Sequence, residues 1–136
     1  MGKPAQLMPP GDNYCVRDAF CELMNWSENS EEYRGFQRGF DFCDVIKMAS
    51  RHGLVSFEWD YEQHGWIESS CGARTIEFET ARDHPGVAIY LLPSVKWYHC
   101  IFHPHIRWVA GLPPEYDIYK PKLSAIIVDL SQQPRD

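Results

Sequence analysis

Three residues of this chain have side chains that together could carry out nucleophilic chemistry: Cys15, His99 and Asp117. Cysteine catalysis needs a thiolate, an imidazole within hydrogen-bond reach of it and a third polar group that orients the imidazole. Cys15 lies in the first turn of a predicted helix, where backbone N–H groups and the helix dipole favour a thiolate. His99 lies at the start of a predicted strand, and Asp117 begins the strand predicted after the next loop. The predicted reaction is acyl transfer: Cys15 attacks a carbonyl, His99 takes and returns the proton, and Asp117 holds the ring.

Helices must position the cysteine, and the N-terminal part of the chain predicts three of them. Asp12 and Asn13 are good N-cap residues and precede the first helix. Apolar side chains then recur with a helical period, and they form one buried stripe: Val16, Ala19, Phe20, Leu23 and Met24. A short second helix is predicted to end near Gly35 or Gly39, and a third follows Asp41.

Strands must position the histidine, and the pattern changes to a period of two after the third helix. Residues 55–61 alternate between apolar and polar side chains, as in a half-buried strand, and residues 62–73 are predicted to form a loop. Further strands are predicted at residues 74–80, 86–92, 96–103, 116–119 and 123–130. The continuous apolar run at 86–92 is typical of a central strand covered on both faces. The predicted class is α+β, with N-terminal helices packed on a C-terminal antiparallel sheet.

Length, charge and cysteine content limit the possible functions. With 136 residues, the chain is predicted to form one domain over 1–136 with an irregular arm at 1–11. The net charge of −6 and the lack of a basic stripe argue against nucleic acid as a partner. No apolar run is long enough to span a membrane, and no secretory signal pattern is present, so a cytoplasmic protein is expected. Five cysteines without a paired spacing fit a reducing compartment.

The order of these parts resembles the papain-like cysteine peptidases, in which a helical cysteine precedes a sheet that carries histidine and then Asp or Asn. The compact arrangement looks like the bacteriocin-leader peptidases of double-glycine exporters. Residues 10–20, with Asp12 three residues before Cys15 and Ala19-Phe20 after it, also resemble the Asp-Gly-x-Cys-x-x-x-Ala-Phe motif of ovarian-tumour-type deubiquitinases, with Asn13 in place of the glycine. The resemblance implies a papain-like fold, a Cys-His-Asp triad, a peptide or protein substrate and no cofactor.

The oxyanion-hole donor departs from the papain-like pattern. Papain and the leader peptidases place an oxyanion-hole glutamine six residues before the cysteine, where this chain has Pro9. Asp12, Asn13 or the Cys15 backbone N–H are the alternative sources of that support. The acidity of the chain favours a peptide substrate with basic or small residues.

The residues alone also allow two other function classes, and they allow a purely structural role for Cys15. His99, His103 and His105 could reach one metal ion if the strand bends at Pro104. A papain-fold protein without activity could instead bind a partner through its tryptophans, among them Trp26, Trp59, Trp66 and Trp108. Cys15 could also be a small buried apolar residue at a helix start.

Overall fold

The computed structural model of the protein describes residues 14–36, 42–60, 65–68, 81, 83–94, 96–104 and 114–133. The arm predicted at 1–11 and the strand predicted at 74–80 lie outside these ranges. So do Asp12, Asn13 and His105. No helix within the described ranges has the length and apolar character needed to cross a membrane.

Three α-helices form at the predicted places: α1 (Cys15–Met24), α2 (Glu31–Gly35) and α3 (Phe42–Arg51). Helix α1 has Tyr14 at its N-cap position, so the helix begins at Cys15 itself rather than directly after the predicted caps. Ser30 is the N-cap of α2, and its hydroxyl oxygen accepts the Tyr33 N–H at 3.1 Å. The predicted helical part of the chain is therefore confirmed.

Five strands form one antiparallel sheet: β1 (Val55–Asp60), β2 (Gly65–Glu68), β3 (Gly86–Leu92), β4 (Trp97–His103) and β5 (Lys122–Val128). Their order across the sheet is β2-β1-β5-β3-β4, and every neighbouring pair is antiparallel. The α+β class is confirmed. Strand β3 has a neighbour on each side, as its continuous apolar sequence predicted.

Two local predictions are wrong. Strand β2 lies in the segment predicted to be a loop, and it pairs with β1, placing Trp66 opposite Trp59. The predicted strand at 116–119 belongs instead to a 3-10 helix, Pro114–Tyr119. Proline fixes a helical φ at the first position of that turn, and Lys120 ends it with a left-handed φ of 51° and an N–H bonded to the Asp117 carbonyl at 3.0 Å.

The sheet has apolar side chains on both faces. Val87 and Ile89 of β3 pack in the cluster that contains the helices, whereas Ala88 and Tyr90 pack on the opposite face. Helix α1 lies across β4 and β3 on the helical face. Its apolar stripe is buried there as the periodicity predicted: Val16, Ala19, Phe20 and Leu23. This packing places the first residue of α1 against β4, the last strand in the described order.

Hydrogen bonds to the segment after β5 fix the other end of α1. The Gln132 Nε2 donates to the Leu23 carbonyl at 2.6 Å and to the Asp129 carboxylate at 2.8 Å. The buried Asp129 also accepts the N–H and hydroxyl of Ser131 at 3.0 and 2.6 Å. Because a buried carboxylate is costly unless it is hydrogen-bonded, this network holds one geometry. It anchors the helix whose opposite end carries Cys15.

Candidate functional site

Cys15 is the first residue of α1, so it lies where the unshared N–H groups of a helix and its positive dipole end are found. Its side chain is 4% exposed and belongs to the apolar cluster on the helical face of the sheet. Burial by itself would favour the neutral thiol. The behaviour of this cysteine therefore depends on the groups that contact its sulfur.

Strand β4 brings two such groups, His99 and Cys100, to the start of α1. Cys100 faces the helices and lies in the same apolar cluster as Cys15. His99 pairs with Tyr90 of β3 and is 8% exposed. Hydrogen bonding from the Cys100 side chain and main chain and from the His99 side chain acts on the Cys15 thiol and lowers its pKa. Strand β4 is the last strand in the described sheet order, and α1 packs against it, so both residues of β4 line the pocket beside Cys15.

These contacts lower the pKa of Cys15 from its ordinary value of 9.0 to about 6. The hydrogen bond from the Cys100 thiol is the largest cause, and burial opposes it by raising the pKa. The His99 hydrogen bond, the Cys100 main-chain N–H and the positive charge on His99 lower it further. At neutral pH most of the Cys15 side chain is therefore thiolate, the nucleophilic form.

A pocket of about 320 Å³ opens at this sulfur. Its walls are formed by α1 and β4 and consist of Cys15, Asp18, Ala19, Glu22, His99, Cys100, Ile101 and Phe102. Asp18 and Glu22 are exposed, and they follow Cys15 at intervals that place all three on one helix face. Asp18 is paired with Arg17 at 3.0 Å. The thiolate and imidazole thus lie in a pocket with an acidic rim on its helical side.

The structure does not bring Asp117 to this pocket. Asp117 is exposed on the 3-10 helix before β5, not at the start of a strand as predicted, and it does not line the pocket. The physical reason is local: residues 114–119 form a 3-10 helix that begins at a proline, so Asp117 does not start a strand.

The geometry of β4 also argues against the alternative metal site at His99, His103 and His105. Strand β4 pairs with β3 without a register shift from Trp97 to His103, so it is extended over that length. Four residues of extended strand separate His99 from His103 by roughly 13 Å, too far for one ion. No group of three or more His, Cys, Asp or Glu among the described residues could hold a metal ion, and His105 lies outside them.

A second pocket, of about 310 Å³, lies beyond the C-terminal end of α1 between α2 and α3. Trp26 forms part of its wall and contacts Phe36 at 6.1 Å and His52 at 4.9 Å between ring centroids. Since α1 is ten residues long, this pocket is about 15 Å along the helix from Cys15. Of the tryptophans considered for partner binding, Trp26 is half-buried here, and the side chains of Trp59, Trp66 and Trp108 lie outside the described part.

Sequence reasoning brought Cys15 and His99 together and missed the role of Cys100. His99 and Cys100 alternate along β4 and so belong to opposite strand faces, yet both line the pocket beside Cys15. Asp18 and Glu22 did carry a usable signal, because their spacing from Cys15 places them on the same face of α1.

Comparison of the chain with protein-family models, with curated proteins and with solved structures finds no match. The papain-like resemblance therefore stays a prediction from the sequence.

Proposed function

We propose that this protein is a thiol-dependent hydrolase or acyltransferase that acts on a peptide or amide bond through Cys15 and His99. The contact between the Cys15 sulfur and the His99 ring at an open pocket carries the proposal. A cysteine nucleophile is activated by an adjacent general base or by a lowered pKa, and this site offers both for Cys15. The order of helix and sheet, which resembles the papain-like peptidases, adds support.

In the proposed mechanism, the Cys15 thiolate attacks the carbonyl carbon of the substrate and forms a tetrahedral adduct. The main-chain N–H of Cys15, at the start of α1, is the donor we propose for the oxyanion. Collapse of the adduct breaks the C–N bond, and His99 gives its proton to the leaving amine. Neutral His99 then removes a proton from water, an amine or an alcohol, which attacks the thioester and releases Cys15 as thiolate.

We assign a peptide with a basic residue near the reacting carbonyl as the substrate class. The pocket wall includes Asp18 and Glu22, and the chain as a whole carries a net charge of −6. Complementary charge raises the association rate and selects against acidic partners. We propose the cytoplasm as the compartment, since an odd set of five cysteines fits reducing conditions.

Iodoacetamide labelling at neutral pH, read by peptide mass spectrometry, tests the nucleophile. Cys15 should react before Cys43, even though Cys15 is buried and Cys43 is exposed, because the thiolate is the reacting form. His99→Ala should remove this preference. His52→Ala is the matched control, since His52 is exposed and lies in the second pocket. Faster labelling of Cys43 in the parent protein would contradict the proposal.

Acylation tests the chemistry beyond thiol reactivity. Protein mixed with an activated ester should carry one acyl group on Cys15, and the group should leave when water or an amine is the acceptor. Cys15→Ser should abolish the acylated species. An acyl group that forms on Cys15 equally fast in His99→Ala would show that the imidazole takes no part.

The second candidate is a non-catalytic binding protein, and the pocket beside Trp26 favours it. Trp26 and Phe36 offer aromatic surface there, and the same wall carries Glu31 and Glu32 together with Arg51. Binding of a cationic peptide that persists in Cys15→Ser and is lost in Trp26→Ala would support this role.

A further inference from the structure

Cys100 is a buried thiol that the proposed mechanism leaves without a chemical step. It is 4% exposed, like Cys15, and lies in the same apolar cluster. Its side chain hydrogen-bonds the Cys15 sulfur, and both residues line the pocket, so a small solute that reaches one thiol reaches the other. Two cysteines in contact, one of them ionised, form the arrangement in which thiols are oxidised pairwise.

We propose that Cys100 is the resolving cysteine for Cys15, so that a peroxide converts the pair into a reversible disulfide that switches the site off. This inference rests on the proposed function in one respect, namely that Cys15 is the reactive thiol. It assigns to that site a redox regulation and to Cys100 a role of its own.

The chemistry balances with hydrogen peroxide as the oxidant. The Cys15 thiolate attacks one peroxide oxygen, the O–O bond breaks, and the products are a Cys15 sulfenic acid and hydroxide. The Cys100 thiol then attacks the sulfenic sulfur and forms the S–S bond. Its proton and the sulfenic hydroxyl leave as water. The two thiols lose two electrons in total, and the peroxide is reduced to two waters. The second water forms when the hydroxide takes up the proton that Cys15 released on ionising.

Among the thiols of the described residues, the geometry favours Cys100 as the partner. Cys21 lies six residues along the same helix, on a different face and outside the pocket wall, while Cys43 is exposed on α3. The two sulfurs must approach from hydrogen-bond contact to about 2.0 Å. Cys15 is the first residue of α1, and the N–H of a first residue has no intrahelical acceptor, so a small shift of Cys15 breaks no helix bond that its amide donates.

The test treats the full chain with hydrogen peroxide and follows intact mass, non-reducing peptide maps and iodoacetamide labelling of Cys15 before and after dithiothreitol. The parent protein should lose about 2 Da, the mass of two hydrogens, and yield a peptide linking Cys15 to Cys100. Labelling of Cys15 should disappear and return with dithiothreitol. Cys100→Ser should instead gain oxygen on Cys15, and labelling should recover to less than about half, because sulfinic acid resists the reductant. Cys21→Ser is the matched control and should behave as the parent does.

The outcomes separate this inference from the proposed function. Selective labelling of reduced Cys15, followed by oxygen uptake without a link to Cys100 in the parent, overturns the redox inference and leaves the proposed function standing. A link from Cys15 to Cys21 overturns it as well. Slow labelling of Cys15 in the untreated parent counts against the proposed function instead. Should Cys100→Ser fail to fold, as judged by circular dichroism, the peptide map of the parent still decides the inference.

Discussion

Replacing Cys100 with alanine should raise the pKa of Cys15, because it removes the hydrogen bond that lowers this pKa most. The fall from 9.0 to about 6 corresponds to about 4 kcal/mol of preferential stabilisation of the thiolate. A hydrogen bond to a charged group contributes roughly 1.5–3 kcal/mol of that total. The pKa of Cys15 should therefore rise by about one to two pH units in Cys100→Ala. At pH 7 the thiolate fraction would fall from about nine-tenths to between about one-half and one-tenth.

The assay is the rate of iodoacetamide labelling of Cys15 as a function of pH, measured residue by residue by mass spectrometry. The parent should show a midpoint near pH 6, and Cys100→Ala a higher one. Cys100→Ser should lie between them, since a serine hydroxyl also donates a hydrogen bond. A parent midpoint near that of an ordinary thiol, or the same midpoint in parent and Cys100→Ala, would refute the reasoning from the sulfur contacts.

Three further predictions concern stability. The free energy of unfolding of the parent, relative to Cys15→Ser, should rise with pH by up to about 4 kcal/mol, because the pKa of Cys15 is lowered in the folded state. This contribution is fully present above about pH 9 and is lost as pH falls through about 6, and urea titrations that show no such trend would contradict it. Gln132→Ala removes the 2.6 Å hydrogen bond to the Leu23 carbonyl and should lower the free energy of unfolding by about 1–3 kcal/mol; a change within error would mean that water replaces the amide. Ser30→Ala removes the oxygen that accepts the Tyr33 N–H and should cost about 1 kcal/mol in thermal unfolding, whereas Ser30→Asp should not.

The sequence alone determined those elements whose signals are local. The three helices follow from apolar spacing, and β3 follows from an uninterrupted apolar run, because burial on one or both faces imposes those periods directly. Strand β2 was missed because its glycine and serine neighbours indicate a loop, while its pairing with β1 supplies the hydrogen bonds that make it a strand. The strand predicted at 116–119 is instead part of a 3-10 helix that begins at Pro114 and ends before Lys120, whose φ is left-handed.

The position of Cys15 at a helix start was likewise determined by local sequence, and with it the tendency of its sulfur to ionise. Which groups contact that sulfur was decided by tertiary structure alone. The packing of α1 against β4 brings His99 and Cys100 to Cys15, and the 3-10 helix before β5 leaves Asp117 exposed and outside the pocket wall. The packing of α1 on β4 arises from contacts between distant segments, whose free energy no local pattern of residues encodes.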